Sequence, residues 1–233
     1  MSKNKIIEKH NLKWLIREDS KIGQLTQDYL GPNDREVELF EFIEKNSNPD
    51  KIFVDIGAMV GGVSLRNADN YKKVYSFEPC HFNYQGLCRN IALNDLGKKV
   101  FAFNSAIGEE SGTAFIPKKS GGTGSVSFEN DEDKDVVPIF CLDDFSIDYT
   151  IGMIKIDTEG FEYEILKGAR SIIKEERPYI ILETHDFDMK GNRVREQTML
   201  IIRFLEELDY EFEILRTSKN NDRHLAFTPN KLV

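Results

Sequence analysis

Lys51–Gly62 reads KIFVDIGAMVGG, a short apolar run that ends in an aspartate and breaks into a glycine-rich turn. Ile52, Phe53, Val54 and Ile56 predict a strand buried on both faces, because a β-branched and aromatic run this short, stopped by Gly57, suits a central parallel strand better than a helix. Gly57, Gly61 and Gly62 have no Cβ, so the backbone can turn tightly and bring its N–H groups close to a ligand. Val63–Asn70 then starts a helix. Strand, glycine turn and helix together predict a nucleotide-type cofactor site; the plainer alternative is a turn that only packs a strand on a helix.

The details of the turn select the cofactor. A dinucleotide fingerprint needs a second glycine two residues after the first, where this chain has Met59. The Lys-Ser/Thr pair of a phosphate-binding loop is also missing, since Val63 and Ser64 follow Gly62. A cofactor without phosphates fits better, and S-adenosylmethionine, an adenosine joined to a sulfonium amino acid, meets that description.

The rest of the chain is organised around this unit. Upstream, Leu12, Trp14, Leu15 and Ile16 form a small apolar patch, Gly31–Asp34 reads as a turn into a helix cap, and Val37, Phe40 and Ile43 predict an amphipathic helix over 35–45. Residues 1–47 are therefore expected to be a helical extension that either covers the pocket or stabilises the main domain, residues 48–233. Lys73–Phe77 predicts a second strand ending at Glu78-Pro79, and an acid about 20 residues past the glycine turn can accept hydrogen bonds from both ribose hydroxyls of an adenosine. His81–Leu93 reads as a crossover helix. Val100–Ala106 is a third strand, and Asn104 or Ser105 at its end could face the adenine.

Regular alternation lapses over 108–135, where a short strand at Thr113–Ile116, a glycine-rich Ser120–Ser125 and an acidic Glu129–Asp135 suggest a lid or substrate loop. Pro138 marks Val136–Leu142 as an edge strand. Gly152–Asp157 and Tyr179–Leu182 are further core strands, separated by one helix carrying Phe161, Ile165, Leu166, Ala169 and Ile173. After a helix at Gln197–Leu208, strands at Tyr210–Ile214 and His224–Thr228, joined by a short turn at Ser218–Asp222, must be antiparallel. The expectation is an α/β fold, a seven-stranded, mostly parallel, Rossmann-like sheet with an antiparallel strand near the C-terminus.

Composition narrows the function. The formal charge of −9 and a pI near 5.1 argue against a nucleic-acid surface. No run approaches the ~20 apolar residues of a membrane span, and MSKNKIIEKH has no apolar export core, so a soluble, cytoplasmic protein is expected. Cys80, Cys88 and Cys141 are odd in number and form no CxxC pair, which points to buried thiols.

Several blocks resemble the FkbM-type methyltransferases: VDIGAMVGGVS (Val54–Ser64), FEP with its following asparagines (Phe77–Asn94), LDD (Leu142–Asp144), KIDTEGFEYEILKGA (Lys155–Ala169) and RPYIILETH (Arg177–His185). The resemblance implies a class I S-adenosylmethionine-dependent methyltransferase fold and an acceptor hydroxyl on a sugar or natural product, such as a glycan or polyketide. The family usually has asparagine where Met59 stands. The cofactor set expected on the residues is Asp55, Gly57, Ala58, Met59, Gly61, Glu78, Pro79, Asn104, Ser105 and Asp157.

An alcohol gains from a general base that titrates near pH 7, and His185 is the expected base, beside Asp157 and Glu159. Asp157, Glu183 and His185 at one rim also raise a Mg²⁺ site, less favoured than ordinary hydrogen bonding there. Lys155, inside an apolar strand, needs a partner. A nicotinamide oxidoreductase and a non-catalytic interaction module remain as alternatives. Oligomeric state is not legible in the sequence.

Overall fold

The computed structural model describes residues 4–17, 36–118, 126–130, 132–184, 195–217 and 223–231. His185, the Gly31–Asp34 turn, the Ser120–Ser125 segment and the Ser218–Asp222 turn lie outside them.

The main sheet has seven strands in the order β11-β12-β10-β9-β3-β4-β5. They are β3 (Ile52–Ile56), β4 (Lys73–Phe77), β5 (Val100–Phe103), β9 (Ile151–Ile156), β10 (Tyr179–Thr184), β11 (Tyr210–Thr217) and β12 (Arg223–Pro229). β5, β4, β3, β9 and β10 are mutually parallel, whereas β12 runs antiparallel to both β10 and β11. Every residue of β3 is buried, Asp55 included, because both faces of the strand are covered. Ile52, Val54 and Ile56 pack towards α4 (Glu162–Lys167), α5 (Arg170–Glu176) and α6 (Arg195–Glu206). Phe53 packs on the other face with residues of α1 (Val37–Lys45), α2 (Gly62–Arg66) and α3 (His81–Leu93).

Several expectations are corrected. The extension begins with a β-hairpin, β1 (Asn4–Lys9) and β2 (Leu12–Arg17), before its helix α1. His10 and Asn11 take φ of 53° and 59°, the two left-handed residues a tight hairpin turn requires. Trp14 and Ile16 are fully buried, so the apolar patch docks as expected but as a strand. α1 turns Leu39, Phe42 and Ile43 inward and leaves Val37 exposed.

A second sheet, in the order β6-β8-β7, is formed by β6 (Ala106–Gly108), β7 (Gly112–Pro117) and β8 (Lys134–Cys141). β8 is thus the central strand of this small sheet rather than an edge of the large one. Pro138 is tolerated because it pairs with β7 alone, the contact with β6 starting at Ile139. The single helix expected after Gly160 is two, α4 and α5, broken at Gly168, where an added Cβ would lie 2.0 Å from the Gly108 carbonyl oxygen.

Candidate functional site

β3 and β9 lie side by side at the middle of the sheet, with β4 beyond one and β10 beyond the other, so their carboxyl ends flank the point where strand order reverses. Ligands of open α/β sheets bind at such a point. Gly57, at φ 79°, is packed so closely on the end of β9 that an added Cβ would sit 1.8 Å from the Asp157 carbonyl oxygen. Four N–H groups of the turn are bonded within the chain, contrary to the expectation that they approach a ligand. Those of Gly57 and Ala58 both donate to the Phe77 carbonyl at 2.9 and 3.0 Å, Gly61 N–H donates to the Ala58 carbonyl, and Met59 N–H donates to Glu78 Oε2 at 2.8 Å. A pyrophosphate needs free backbone donors at this turn. These four are committed to the protein, which disfavours a dinucleotide and leaves room for an uncharged adenosine.

A cavity opens at these strand ends, lined on one side by Gly57, Met59, Glu78, Pro79, Ser105 and Asp157 and on the other by apolar side chains that include Ile116 and Phe161. Thr158 and Glu159 form its lip. Glu78 is buried, and desolvation pushes its carboxyl up to about 7 although the N–H groups of Cys80 and Met59 pull it down. Ser105 Oγ is buried without a hydrogen-bond partner. Asn104 faces away from the cavity: its Nδ2 donates to the carbonyls of Glu78 and Pro79, and its Oδ1 meets His81 Nδ1 at 3.1 Å. It therefore fixes the loop that presents Glu78 and is not placed against an adenine. Asp55, Ala58 and Gly61 stand behind the cavity lining and shape the turn.

Asp55 belongs to a buried polar chain beneath the turn. Strand register places Ser76, Asp55 and Lys155 side by side across β4, β3 and β9. Ser76 Oγ donates to Ser64 Oγ at 2.8 Å, Ser64 Oγ to Asp55 Oδ2 at 2.5 Å, and Lys155 Nζ lies 3.4 Å from Asp55 Oδ1 and 3.2 Å from Asp157 Oδ2. Burial alone would lower the Lys155 pKa, but Asp157 and Asp55 reverse this and hold the ammonium above the ordinary lysine range. Burial pushes Asp157 up, but the Lys155 charge and the hydrogen bonds with Glu183 and Lys155 together bring it below the ordinary aspartate range, so it stays ionised. An ammonium thus occupies the place where Asp55 and Asp157 converge. Among the described residues no three His, Cys, Asp or Glu side chains are arranged to hold a metal ion, and the Asp157 environment does not fit the all-oxygen shell that Mg²⁺ demands.

A family profile described as "Methyltransferase FkbM domain" matches residues 55–212, which contain the turn, Glu78, Lys155 and Asp157. The chain belongs to the FkbM methyltransferase family. It is 28% identical to Methyltransferase sdnD of Sordaria araneosa, a match covering 63% of this chain and 76% of that one. Its fold is similar to a methyltransferase FkbM from Methylobacillus flagellatus KT (TM-score 0.57, 19% identity, 91% of this chain) and to a tRNA m1G37 methyltransferase of M. jannaschii (TM-score 0.57, 17% identity, 98% of this chain). The chain spans 56% and 57% of those two solved proteins.

The asparagine usual in FkbM proteins at position 59 now has a physical reason. Met59 holds φ 50°, a left-handed conformation that asparagine adopts at lower cost than methionine. Met59→Asn is expected to raise stability by up to about 1 kcal/mol. Urea unfolding at neutral pH checks this, and an unchanged or lower midpoint would show that the turn carries no strain at this position.

At the lip, Glu159 and Gly160 are also left-handed, at φ 58° and 102°. Glu162 holds them, its Oε1 accepting from Thr158 N–H, Thr158 Oγ1 and Gly160 N–H at 3.0–3.1 Å. Sequence reading missed this residue, although a carboxylate two positions past a glycine is the available signal. It also missed His224, whose Nε2 lies 3.6 Å from Glu183 Oε1 and 3.8 Å from Glu36 Oε1. Burial lowers the His224 pKa against the pull of Glu36 and Asp157.

Proposed function

We propose that this FkbM protein is an S-adenosylmethionine-dependent O-methyltransferase acting on a hydroxyl of a small-molecule acceptor, a sugar or a natural product such as a polyketide. The observation that carries the reading is Glu78, folded back onto Met59 N–H at the strand ends in a cavity whose turn commits the N–H groups of Gly57, Ala58, Met59 and Gly61 to the chain itself. S-adenosylmethionine supplies an electrophilic methyl on a sulfonium, and the protein's work is to align an acceptor with it and exclude water. Glu78 holds ribose, Ser105 meets the base, and Gly57, Met59 and Asp157 close the floor. The negative net charge supports a small acceptor over a nucleic acid; the likeness to the tRNA enzyme is one of fold alone. No described helix is long and apolar enough to cross a membrane.

Calorimetric titration with S-adenosylmethionine, S-adenosylhomocysteine and NAD in parallel tests the cofactor. Binding of NAD in place of the adenosyl ligands, or of none of the three, would overturn the reading.

The pH dependence follows from Glu78. Its folded pKa, about 7, lies above that of a free glutamate, so its protonation stabilises the empty protein below about pH 4.5 and this contribution is lost as pH rises through 7. Ribose hydroxyls donate to the ionised form, so S-adenosylhomocysteine should bind roughly severalfold tighter at pH 8 than at pH 6. Glu78→Gln should flatten that slope; a slope that persists in the variant removes Glu78 from the contact.

His185 is proposed as the base that takes the acceptor's proton. His185→Ala should lower kcat about a hundredfold with the affinity for S-adenosylhomocysteine unchanged. Unchanged turnover excludes it from the chemistry.

A further inference from the structure

The reading of Glu78 as the ribose ligand leaves one hydroxyl without an acceptor. A carboxylate offers about four lone-pair positions. Three of those on Glu78 are taken by the chain itself: Met59 N–H on Oε2 at 2.8 Å, Cys80 N–H on Oε1 at 2.9 Å, and Asn83 Nδ2 on Oε1 at 3.4 Å. One position remains, on Oε2. A ribose diol presents two O–H donors, and a buried donor without an acceptor is costly.

The second acceptor stands beside the first. Asn83, on the first turn of α3, is 6% exposed and lines the same cavity. Its Oδ1 is buried and has no hydrogen-bond partner. The orientation of this carboxamide is set by chemistry, since only the Nδ2 end can donate to the carboxylate, which leaves Oδ1 as the end without a partner. Buried carbonyl oxygens are ordinarily satisfied, so one without a partner on a residue of the cavity lining signals a missing donor.

We infer that Asn83 is a second diol ligand, Glu78 Oε2 accepting one ribose hydroxyl and Asn83 Oδ1 the other. The inference deepens the proposed function and rests on it. It makes the site specific for an unmodified cis-diol: loss of either hydroxyl strands a buried acceptor, and no single residue can compensate for both. It also gives the Asn83 side chain two tasks, one end steadying Glu78 and the other binding.

The test is a binding cycle between ligand and protein, read by calorimetry with S-adenosylhomocysteine and its 2′-deoxy and 3′-deoxy forms. With the unaltered protein, each deletion should weaken binding roughly tenfold. With Asn83→Leu, checked for folding by circular dichroism, one of the two deletions should cost less than about twofold while the other keeps its full effect; with Glu78→Gln the roles should exchange. Two equal penalties that survive in Asn83→Leu would overturn the inference and leave the adenosyl reading intact, the cavity oxygen then being met by water. So would a single effective deletion in the unaltered protein, a result that needs no variant to fold. Failure of S-adenosylhomocysteine itself to bind overturns the adenosyl reading and the inference together.

Discussion

Lys155→Met is expected to destabilise the protein by about 3–5 kcal/mol at neutral pH, because it leaves two carboxylates without their counter-charge in the sheet. Lys155 is 7% exposed, and its ammonium reaches Asp55, Asp157 and, at 3.4 Å, the Gly57 carbonyl. Methionine fills a similar volume, so the loss is electrostatic rather than a cavity. The effect has a pH signature. Asp157 has a lowered pKa in the intact protein, so its pairing contributes stability above the unfolded value near 3.9 and loses it as pH falls. The gap between the two proteins should therefore be widest near pH 7 and narrow towards pH 4, where the stranded carboxylates take up protons. Urea titrations at both pH values decide the matter: a cost under about 1 kcal/mol, or one independent of pH, would refute the ionic account. Adding Asp55→Asn should recover part of the loss, since neutralising both partners of a buried pair is far milder than removing one.

Gly57→Ala is the second large effect. An alanine there places its Cβ 1.8 Å from the Asp157 carbonyl oxygen and 2.9 Å from the carbonyl carbon, both backbone atoms at the end of a central strand, and it must also hold φ 79°. Neither β3 nor β9 can give way without breaking the ladder between them. A loss on the order of 3 kcal/mol or more is expected, with adenosyl affinity falling alongside as the strand ends part. Two other glycines grade the prediction. Gly160 carries φ 102° with nothing within 4 Å of an added Cβ, so Gly160→Ala should cost only the backbone strain, and Gly97, with open space and no such strain, should be nearly indifferent. Denaturation midpoints that fail to follow the order Gly57, Gly160, Gly97 would overturn the packing explanation.

The sheet was legible wherever burial on both faces wrote itself as a mostly apolar run, as in β3, β9 and β10, broken by Asp55 in the first and Lys155 in the second. β1 and β2 were harder, because a hairpin with one face on the protein alternates weakly and its sole turn signal is His10-Asn11. β8 could be read as a strand but not as the partner of β6, since that pairing depends on where the chain returns after 25 residues or more of connection. At the site, Gly57, Glu78 and Asp157 followed from their places at strand ends. Lys155 announced a need that composition alone could pose; its answer required the register that sets it opposite Asp55. Asn83 and His224 gave no such sign, because each acts through groups brought near by folding rather than by spacing.

Asn90 is one such residue, and it joins two regions that sequence reading treated separately. Its Oδ1 accepts the Leu15 N–H of β2 at 2.8 Å, and its Nδ2 donates to the Val60 carbonyl of the glycine turn at 2.9 Å. A single carboxamide is therefore a tie-rod between the amino-terminal ribbon and the loop that shapes the ligand's seat. Loosening the ribbon slackens the loop. The first strands of the chain, none of whose residues lines the cavity, are thereby coupled to the turn that does.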